Sequence, residues 1–199
     1  VKEWLFMNIC VYGAASNLIS DMYKEAGKEL GRRMAERGHG LVFGGGSHGM
    51  MGALAEGEFE KSGYILGIIP QFFHEANAEI SFKNCSEYIY TDTMRERKRL
   101  LEEKSDAFIV SPGGIGTMDE FFEILTLKQL GRHNKAIVLY NVDGFFDELE
   151  SMMTKSIKQH FITDDCKELY KVSSDINEIL DYIEAYDPTD VDLDKVKIR

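Results

Sequence analysis

The sequence is poor in cysteine and contains no long apolar run. Its three cysteines, Cys10, Cys85 and Cys166, are widely spaced, odd in number and outside any CxxC pair. This pattern excludes a disulfide scaffold and a structural zinc knuckle, and it predicts reduced thiols in a cytoplasmic protein. No apolar run approaches the roughly 18 residues of a membrane span. Because the opening residues VKEWLFMNICVYG also lack a signal-peptide pattern, we expect a soluble cytoplasmic protein with no membrane partner.

Positive charge is scarce as well. The 199 residues include 23 Lys and Arg against 34 Asp and Glu, which gives a formal net charge of −11. Because such a surface repels nucleic acids and anionic membranes, we expect neither as a partner. An anionic ligand would have to be captured by a local positive site, since the field of the whole protein opposes its approach. The five histidines show neither HExxH nor paired spacing, so a catalytic metal site is not expected.

Apolar runs alternate with helical patterns along most of the chain. The runs are short, nearly continuous in Ile, Val, Leu and Phe, and bounded by turn residues, which is typical of strands buried on both faces of a parallel sheet. The predicted strands are Met7–Tyr12, Leu41–Phe43, Tyr64–Ile69, Tyr88–Thr91, Ala107–Val110, Ala136–Tyr140 and, more weakly, Leu169–Val172. Between them lie predicted helices near 20–37, 50–62, 94–105, 117–131, 145–160 and 174–185.

This alternation predicts an α/β fold, an open parallel sheet with helices on both faces. The chain has the length and composition of one globular domain, which we place at residues 1–186. The remaining residues, 187–199, form a polar tail that we expect to fray or to pack on a neighbour.

A first glycine turn follows the predicted strand Leu41–Phe43 and fits the pattern GxGxxG before a helix. Glycines there allow backbone N–H groups to approach a phosphate, although a tight structural turn explains the pattern about as well. The next strand ends in Ile69 without an acidic residue, which weakens a dinucleotide site, and Met50 stands where a P-loop requires lysine. The candidate phosphate-loop residues are Gly44, Gly45, Gly46 and Ser47.

A second glycine turn follows the strand Ala107–Val110 and also opens a helix. Its three glycines and the hydroxyl of Thr117 form an anion nest, with the positive end of the helix dipole behind it. Two carboxylates, Asp119 and Glu120, follow in the next turn. Acidic residues at a helix start often do no more than complement the dipole.

The helical wheel separates these two carboxylates. At about 100° per residue, Glu120 falls between Ile124 and Leu127 on the apolar arc, whereas Asp119 falls on the polar side. A carboxylate on an apolar face costs free energy unless it is paired or used. We therefore expect Asp119 to be the dipole-complementing acid and Glu120 to be the functional one.

A basic segment opens the helix predicted near 94–105, after a capping box. Such a charge run is usually a solvated face. The wheel, however, places Arg97 and Lys98 on one face with a methionine and a leucine. Two cations on an apolar stripe need an anionic partner, and Glu120 and a ligand phosphate are the candidates.

Together these motifs resemble the Lonely-Guy family of cytokinin riboside 5′-monophosphate phosphoribohydrolases, some of which were long labelled lysine decarboxylases. The family's PGGxGTxxE motif is matched in full at Pro112–Glu120, and its MxxRK motif is matched at Met94–Lys98. The likeness includes the GGGSxGxMG turn at Gly44–Gly52 and extends over roughly residues 5–165.

The resemblance implies a Rossmann-like α/β sandwich that assembles as a homodimer or larger homo-oligomer, with its active site at the dimer interface. It implies hydrolysis of the N-glycosidic bond of AMP or an N6-modified AMP to free base and ribose 5-phosphate, without a metal or organic cofactor. By matching positions, Arg97 and Glu120 would be catalytic. The substrate-binding positions would be Glu79, Lys98, Gly114, Ile115, Gly116, Thr117, Met118, Asp119 and Thr126.

Two other functions stay open at this point. A carrier of a nucleotide or a molybdopterin on the same fold would bind its ligand without catalysis. The intact pair of Arg97 and Glu120 favours an enzyme, because a carrier has no need of a carboxylate beside a bound phosphate. Amino-acid decarboxylation would require pyridoxal phosphate or a pyruvoyl group, and no lysine context in the sequence suggests either.

Overall fold

The computed structural model describes residues 6–76, 81–189 and 191–196. In this part of the chain seven strands form one parallel sheet in the order β4-β3-β2-β1-β5-β6-β7. The strands are β1 Asn8–Tyr12, β2 Gly40–Phe43, β3 Ile65–Pro70, β4 Glu87–Thr91, β5 Ala107–Val110, β6 Ala136–Tyr140 and β7 Lys171–Ser173. The predicted α/β fold with an open parallel sheet is confirmed, and each strand boundary lies within two residues of its predicted position.

Eight α-helices accompany these strands within the described residues. They are α1 Asp21–Glu36, α2 Gly49–Glu60, α3 Gln71–Ala76, α4 Met94–Glu103, α5 Ile115–Gln129, α6 Asp147–Lys158, α7 Ile176–Ala185 and α8 Leu193–Val196. The six predicted helices correspond to α1, α2 and α4 to α7. The two short helices, α3 and α8, were not predicted because so few residues do not show a helical period. None of the described helices is both long enough and apolar enough to cross a membrane.

The sheet is covered on both faces, as its continuous apolar strands predict. In β1, Ile9 and Val11 point into the layer that contains α1, α2 and α7. Cys10 and Tyr12 point into the opposite layer, which contains α4 and α5. All four side chains are almost completely buried. A strand with two buried faces has no polar side, which is why the sequence shows apolar runs rather than alternation.

One carboxyl group is buried in the layer of α1 and α2. The side chain of Glu58, on α2, is fully buried beside Gly63. Neither of its oxygens has a hydrogen-bond partner among the described residues. Burial in this apolar surrounding raises the pKa of Glu58 to about 9, so the carboxyl is protonated at neutral pH.

The described part of the tail packs against the rest of the protein. Val196 at the end of α8 is buried, and its carbonyl accepts a hydrogen bond of 3.2 Å from Nε2 of Gln129 on α5. The side-chain amide of Asn134 donates a hydrogen bond to the carbonyl of Pro188. The polar composition predicted a frayed or packed tail, and these contacts place residues 191–196 on the far end of α5.

The order of the strands defines where a ligand cleft lies. The chain builds β1, β2, β3 and β4 outward in one direction and then crosses to β5, which pairs with the other edge of β1. The direction of winding therefore reverses between β1 and β5. In open parallel sheets the crevice beyond the carboxyl ends of the strands at such a reversal is the usual ligand site.

Candidate active site

A cavity of about 380 Å³ lies at this reversal point. Three strand-to-helix turns line it: Gly13–Ala15 after β1, Gly44–Gly46 after β2, and the turn that contains Gly114, Gly116 and Thr117 after β5. The two glycine turns singled out in the sequence thus meet at one cavity. The turn after β1 was not predicted. A signal for it exists in the sequence, since a buried strand that ends directly in small residues permits close approach of a ligand.

Arg97 and Glu120 form an ion pair in the wall of this cavity. Nη1 of Arg97, on α4, lies 3.0 Å from Oε1 of Glu120, on α5, and each side chain is only 11% exposed. Nε of Arg97 also donates a hydrogen bond of 3.3 Å to the carbonyl oxygen of Ile68 in β3. The structure therefore brings together the two residues that the wheel and the family motifs had selected.

Two opposing effects act on the carboxyl of Glu120. Burial raises its pKa, and the charge and hydrogen bond of Arg97 lower it, with the result that the pKa lies above its ordinary value. A carboxyl group with a raised pKa in a cavity wall exchanges protons more readily near neutral pH than an exposed one does. Glu120 consequently has the position and the electrostatic surroundings of a general base or charge-stabilising group.

Asp119 and Lys98 lie outside the large cavity. The side chain of Asp119 is 59% exposed, and its Oδ2 lies 3.0 Å from Nζ of Lys98. Lys98 contacts Glu123 as well, at 2.7 Å. Of the two cations of α4, Arg97 contacts Glu120 directly, whereas Lys98 pairs with two other carboxylates of α5. The charge of Lys98 still acts on Glu120 and lowers the pKa of that carboxyl.

A second cavity of about 240 Å³ lies on the other side of Glu120. Six of the eight residues that line it are polar or charged, among them Tyr12, Lys98, Glu102 and Glu123. Glu120 lines both cavities and thus separates the large one from this smaller one.

The second glycine turn provides open space for a ligand. A Cβ atom added at Gly114 or Gly116 would meet no atom within 4 Å, and Thr117 lies buried beside them in the first turn of α5. The other substrate-binding positions implied by the family are less close to the cavity. The side chain of Ile115 is 91% exposed, and Thr126 is exposed and lines neither cavity.

The remaining predicted positions are Met118, Glu79 and the candidate phosphate loop. Met118 is half-buried and packs against the core. Glu79 lies outside the described residues. Of the candidate phosphate loop, the three glycines line the cavity, whereas Ser47 does not. No three His, Cys, Asp or Glu side chains among the described residues are grouped so that they could hold a metal ion.

Sequence reasoning missed the apolar wall of the cavity. Five apolar residues from α2, β3, α3 and α4 contribute to it, namely Met51, Ile69, Pro70, Phe73 and Met94. Met51 lies on α2 with two other apolar residues, Met50 and Leu54. The latter two are buried, but Met51 is only half-buried and faces the cavity. An apolar position on a helix looks the same in sequence whether it faces the core or an apolar cavity wall, so only the tertiary packing separates them.

The sheet order and the cavity at its reversal point define a Rossmann-like α/β protein with a ligand cleft. Comparison with known proteins then specifies the family. The model of a family described as possible lysine decarboxylase matches residues 51–183. The chain is also similar to the cytokinin riboside 5′-monophosphate phosphoribohydrolase LOG2 of Arabidopsis thaliana, with 35% identity over 183 residues that cover 92% of this chain and 85% of that protein.

A rice relative gives the same result. The probable cytokinin riboside 5′-monophosphate phosphoribohydrolase LOGL1 of Oryza sativa subsp. japonica is 36% identical over 181 residues, which cover 91% of this chain and 80% of the relative. The chain therefore belongs to the Lonely-Guy family, as its motifs suggested.

Solved structures agree on the fold. The molybdenum cofactor carrier protein of Chlamydomonas reinhardtii superposes with a TM-score of 0.68 at 23% identity, over 90% of this chain and 97% of that one. The molybdenum cofactor binding protein of Rippkaea orientalis superposes with a TM-score of 0.64 at 19% identity, over 89% and 94% of the two chains. At these identities the likeness concerns the Rossmann-like architecture alone.

Proposed function

We propose that this protein hydrolyses the N-glycosidic bond of a nucleoside 5′-monophosphate, AMP or an N6-modified AMP, to free base and ribose 5-phosphate. The observation that carries the proposal is the buried pair of Arg97 and Glu120 in the wall of a cavity that also contains an open anion nest. The names of relatives about 35% identical over most of the chain support the same reaction.

The nest is the part of the cavity suited to the 5′-phosphate. The backbone N–H groups at the start of α5 and the hydroxyl of Thr117 offer donors, and the positive end of the helix dipole adds to their effect. Glu120 follows Thr117 by three residues, which corresponds to a rise of about 4.5 Å along the helix. A phosphate bound in the nest would therefore leave the ribose next to the carboxylate of Glu120.

The chemistry follows from that placement. Breaking the bond between C1′ and the base nitrogen leaves positive charge on the ribose, in an oxocarbenium-like state that a neighbouring carboxylate stabilises. Glu120 would also orient the attacking water, whose oxygen forms the new bond to C1′. The departing base keeps the bonding electron pair and takes up a proton, so that one water molecule is divided between the two products. Arg97 would keep Glu120 ionised and contact the ribose or the phosphate.

The apolar wall is the part of the cavity suited to the base. It begins at β3, three strand positions away from β5, and neighbouring strands lie about 4.8 Å apart, which gives a span of about 14 Å across the cavity. Phe73 and Met94 at that end offer flat and flexible apolar surface. Such a surface suits a planar purine and also an apolar substituent at its N6 position.

We further propose that the protein acts as a homodimer or larger homo-oligomer with the site at the interface, in a cytoplasmic setting. Exposed apolar side chains support an interface along α5, namely Ile115 and Phe122 on the helix and Leu130 directly after its end. Thr126 lies exposed on the same helix, outside the cavity of its own chain, where a contact between two copies would use it. The three cysteines are free, in keeping with a reducing compartment.

Two alternative functions have less support. Among the described residues that line the cavity none is a lysine, so the amine that pyridoxal phosphate needs for a Schiff base is missing there. A carrier function would leave the buried carboxylate of Glu120 without a task.

One experiment separates the alternatives. The protein is incubated with AMP, N6-alkylated AMP, other nucleoside 5′-monophosphates and lysine, and free base, ribose 5-phosphate and carbon dioxide are measured. Release of base and ribose 5-phosphate in equal amounts supports the proposal. Tight binding of a nucleotide without turnover would favour a carrier function, and release of carbon dioxide from lysine would favour a decarboxylase.

A further inference from the structure

The two glycine turns of the cavity differ in what lies against them. The second turn leaves free space at Gly114 and Gly116. At the first turn, by contrast, the space next to Gly44 is filled by the guanidinium of Arg97. A Cβ added to Gly44 would overlap Nη2 of Arg97 and would lie 3.2 Å from its Cζ.

We propose that the first glycine turn, Gly44–Gly46, is the seat of Arg97 and positions this side chain against Glu120, rather than binding the substrate phosphate. The inference rests on the proposed function, because it assigns a positioning role for that reaction. It also decides between the two explanations of the GxGxxG pattern that the sequence left open.

The contacts of Arg97 hold the guanidinium on three sides. Nε donates to the carbonyl oxygen of Ile68, at 3.3 Å, and Nη1 donates to Glu120, at 3.0 Å. Nη2 occupies the space into which a Cβ at Gly44 would extend. A side chain at position 44 would remove this third contact surface and push the guanidinium away from the carboxylate.

The turn itself is held by neighbours other than a ligand. Gly45 has a φ of +75°, a conformation that favours glycine, and its Cα hydrogen faces the side chain of Ile69. Its carbonyl oxygen accepts a hydrogen bond of 2.8 Å from the N–H of Phe82, and Gly46 forms a bridge with Ser81. These contacts fix the position of the turn and therefore the position of the Arg97 guanidinium that packs against it.

The substitution Gly44→Ala tests the proposal. Gly44 does not have a positive φ, so alanine fits its backbone conformation, and the added methyl group acts through Arg97. We expect kcat for AMP hydrolysis to fall ~10- to 100-fold while KM changes little, the pattern for loss of a transition-state interaction. Gly116→Ala is the contrasting variant, because its methyl group enters the space of the ligand, and it should mainly raise KM.

The pH profile gives a readout that a general loss of packing would not change. Arg97 lowers the pKa of Glu120 and burial raises it. Moving the guanidinium away should therefore raise the pKa of Glu120 further and shift the acidic limb of the kcat profile to higher pH. An increase in KM with an unchanged profile would overturn the proposal, because that result is expected for a phosphate loop.

A double substitution keeps the proposal testable if Gly44→Ala folds poorly. In the background of Arg97→Ala the space above Gly44 is empty, so adding Gly44→Ala should change neither the thermal unfolding temperature nor the residual kcat. Equal effects of Gly44→Ala in the unmodified protein and in Arg97→Ala would refute the proposal that this turn positions Arg97.

The outcome can also be separated from failure of the proposed function. If the unmodified protein releases no base from any nucleotide, the proposed function fails. The carboxyl of Glu120 can then be titrated by ¹³C NMR in the unmodified protein and in Gly44→Ala. A higher pKa in the variant would still support the seat, and equal values would contradict it.

Discussion

Replacing Glu120 by glutamine removes one negative charge from the cavity and preserves nearly the same shape. The amide oxygen still accepts a hydrogen bond from Nη1 of Arg97, which lies 3.0 Å away in the unmodified protein. We therefore expect a small loss in the free energy of unfolding, about 1 kcal/mol or less. The rate should respond much more strongly, because the lost charge is the one that would stabilise the cation on the ribose.

The expected size of this effect follows from the burial of Glu120. At 11% exposure the carboxylate acts from a position that water screens poorly, so its charge is worth more than that of a surface group. Removing a preorganised charge or general base of this kind lowers kcat by ~10²-fold or more. Asp119→Asn is the matched control, since this neighbour is 59% exposed and lies outside the cavity. Its loss should lower kcat much less.

The assay follows release of free base from AMP across a range of pH in both variants. Because the pKa of Glu120 is raised above its ordinary value, kcat should fall as the pH drops through that pKa. This limb should be absent in Glu120→Gln and present in Asp119→Asn. Arg97→Ala should lose about as much rate as Glu120→Gln, and the double variant should be barely slower than either. Turnover of AMP by Glu120→Gln at nearly the unmodified rate would refute the reasoning and would favour a carrier.

Three further predictions concern the ligand, the assembly and the buried acid. AMP should be hydrolysed with a kcat/KM far above that of adenosine, because the phosphate supplies binding energy for the transition state. Similar kcat/KM values for the two would contradict the assignment of the nest as the phosphate site. Light scattering should give at least a dimer at working concentration, and a fully active monomer would contradict the interface. The free energy of unfolding should fall by roughly 1.4 kcal/mol per pH unit as the pH rises from the ordinary pKa of Glu58 toward about 9, since the folded state favours its protonated form. Chemical denaturation of Glu58→Gln at pH 5 and pH 8 should lack this contribution, and the same slope in both proteins would show that Glu58 is not the cause.

Local sequence predicted the elements of this fold and several parts of its site. Apolar runs bounded by turn residues predicted all seven strands. The signal was clearest for the five inner strands β1, β2, β3, β5 and β6, because both of their faces are buried, whereas the edge strands β4 and β7 are only partly buried. The helical wheel separated Glu120 from Asp119 for the same reason, since the period of a helix determines which side chains share the buried face. The glycine turns were recognisable because they follow strands directly.

What the tertiary structure decided is which segments meet. The period of α4 placed Lys98 on the face of Arg97, but only the packing of α4 against α5 gave it Asp119 and Glu123 as partners. The role of Met51 in the cavity wall depends on how α2 meets the turns of other strands. Gly44 lies more than fifty positions before the arginine that covers it, and no local pattern records that contact. Periodicity shows that a face is buried, whereas the partner that buries it is set by the order of the strands and the packing of the whole chain.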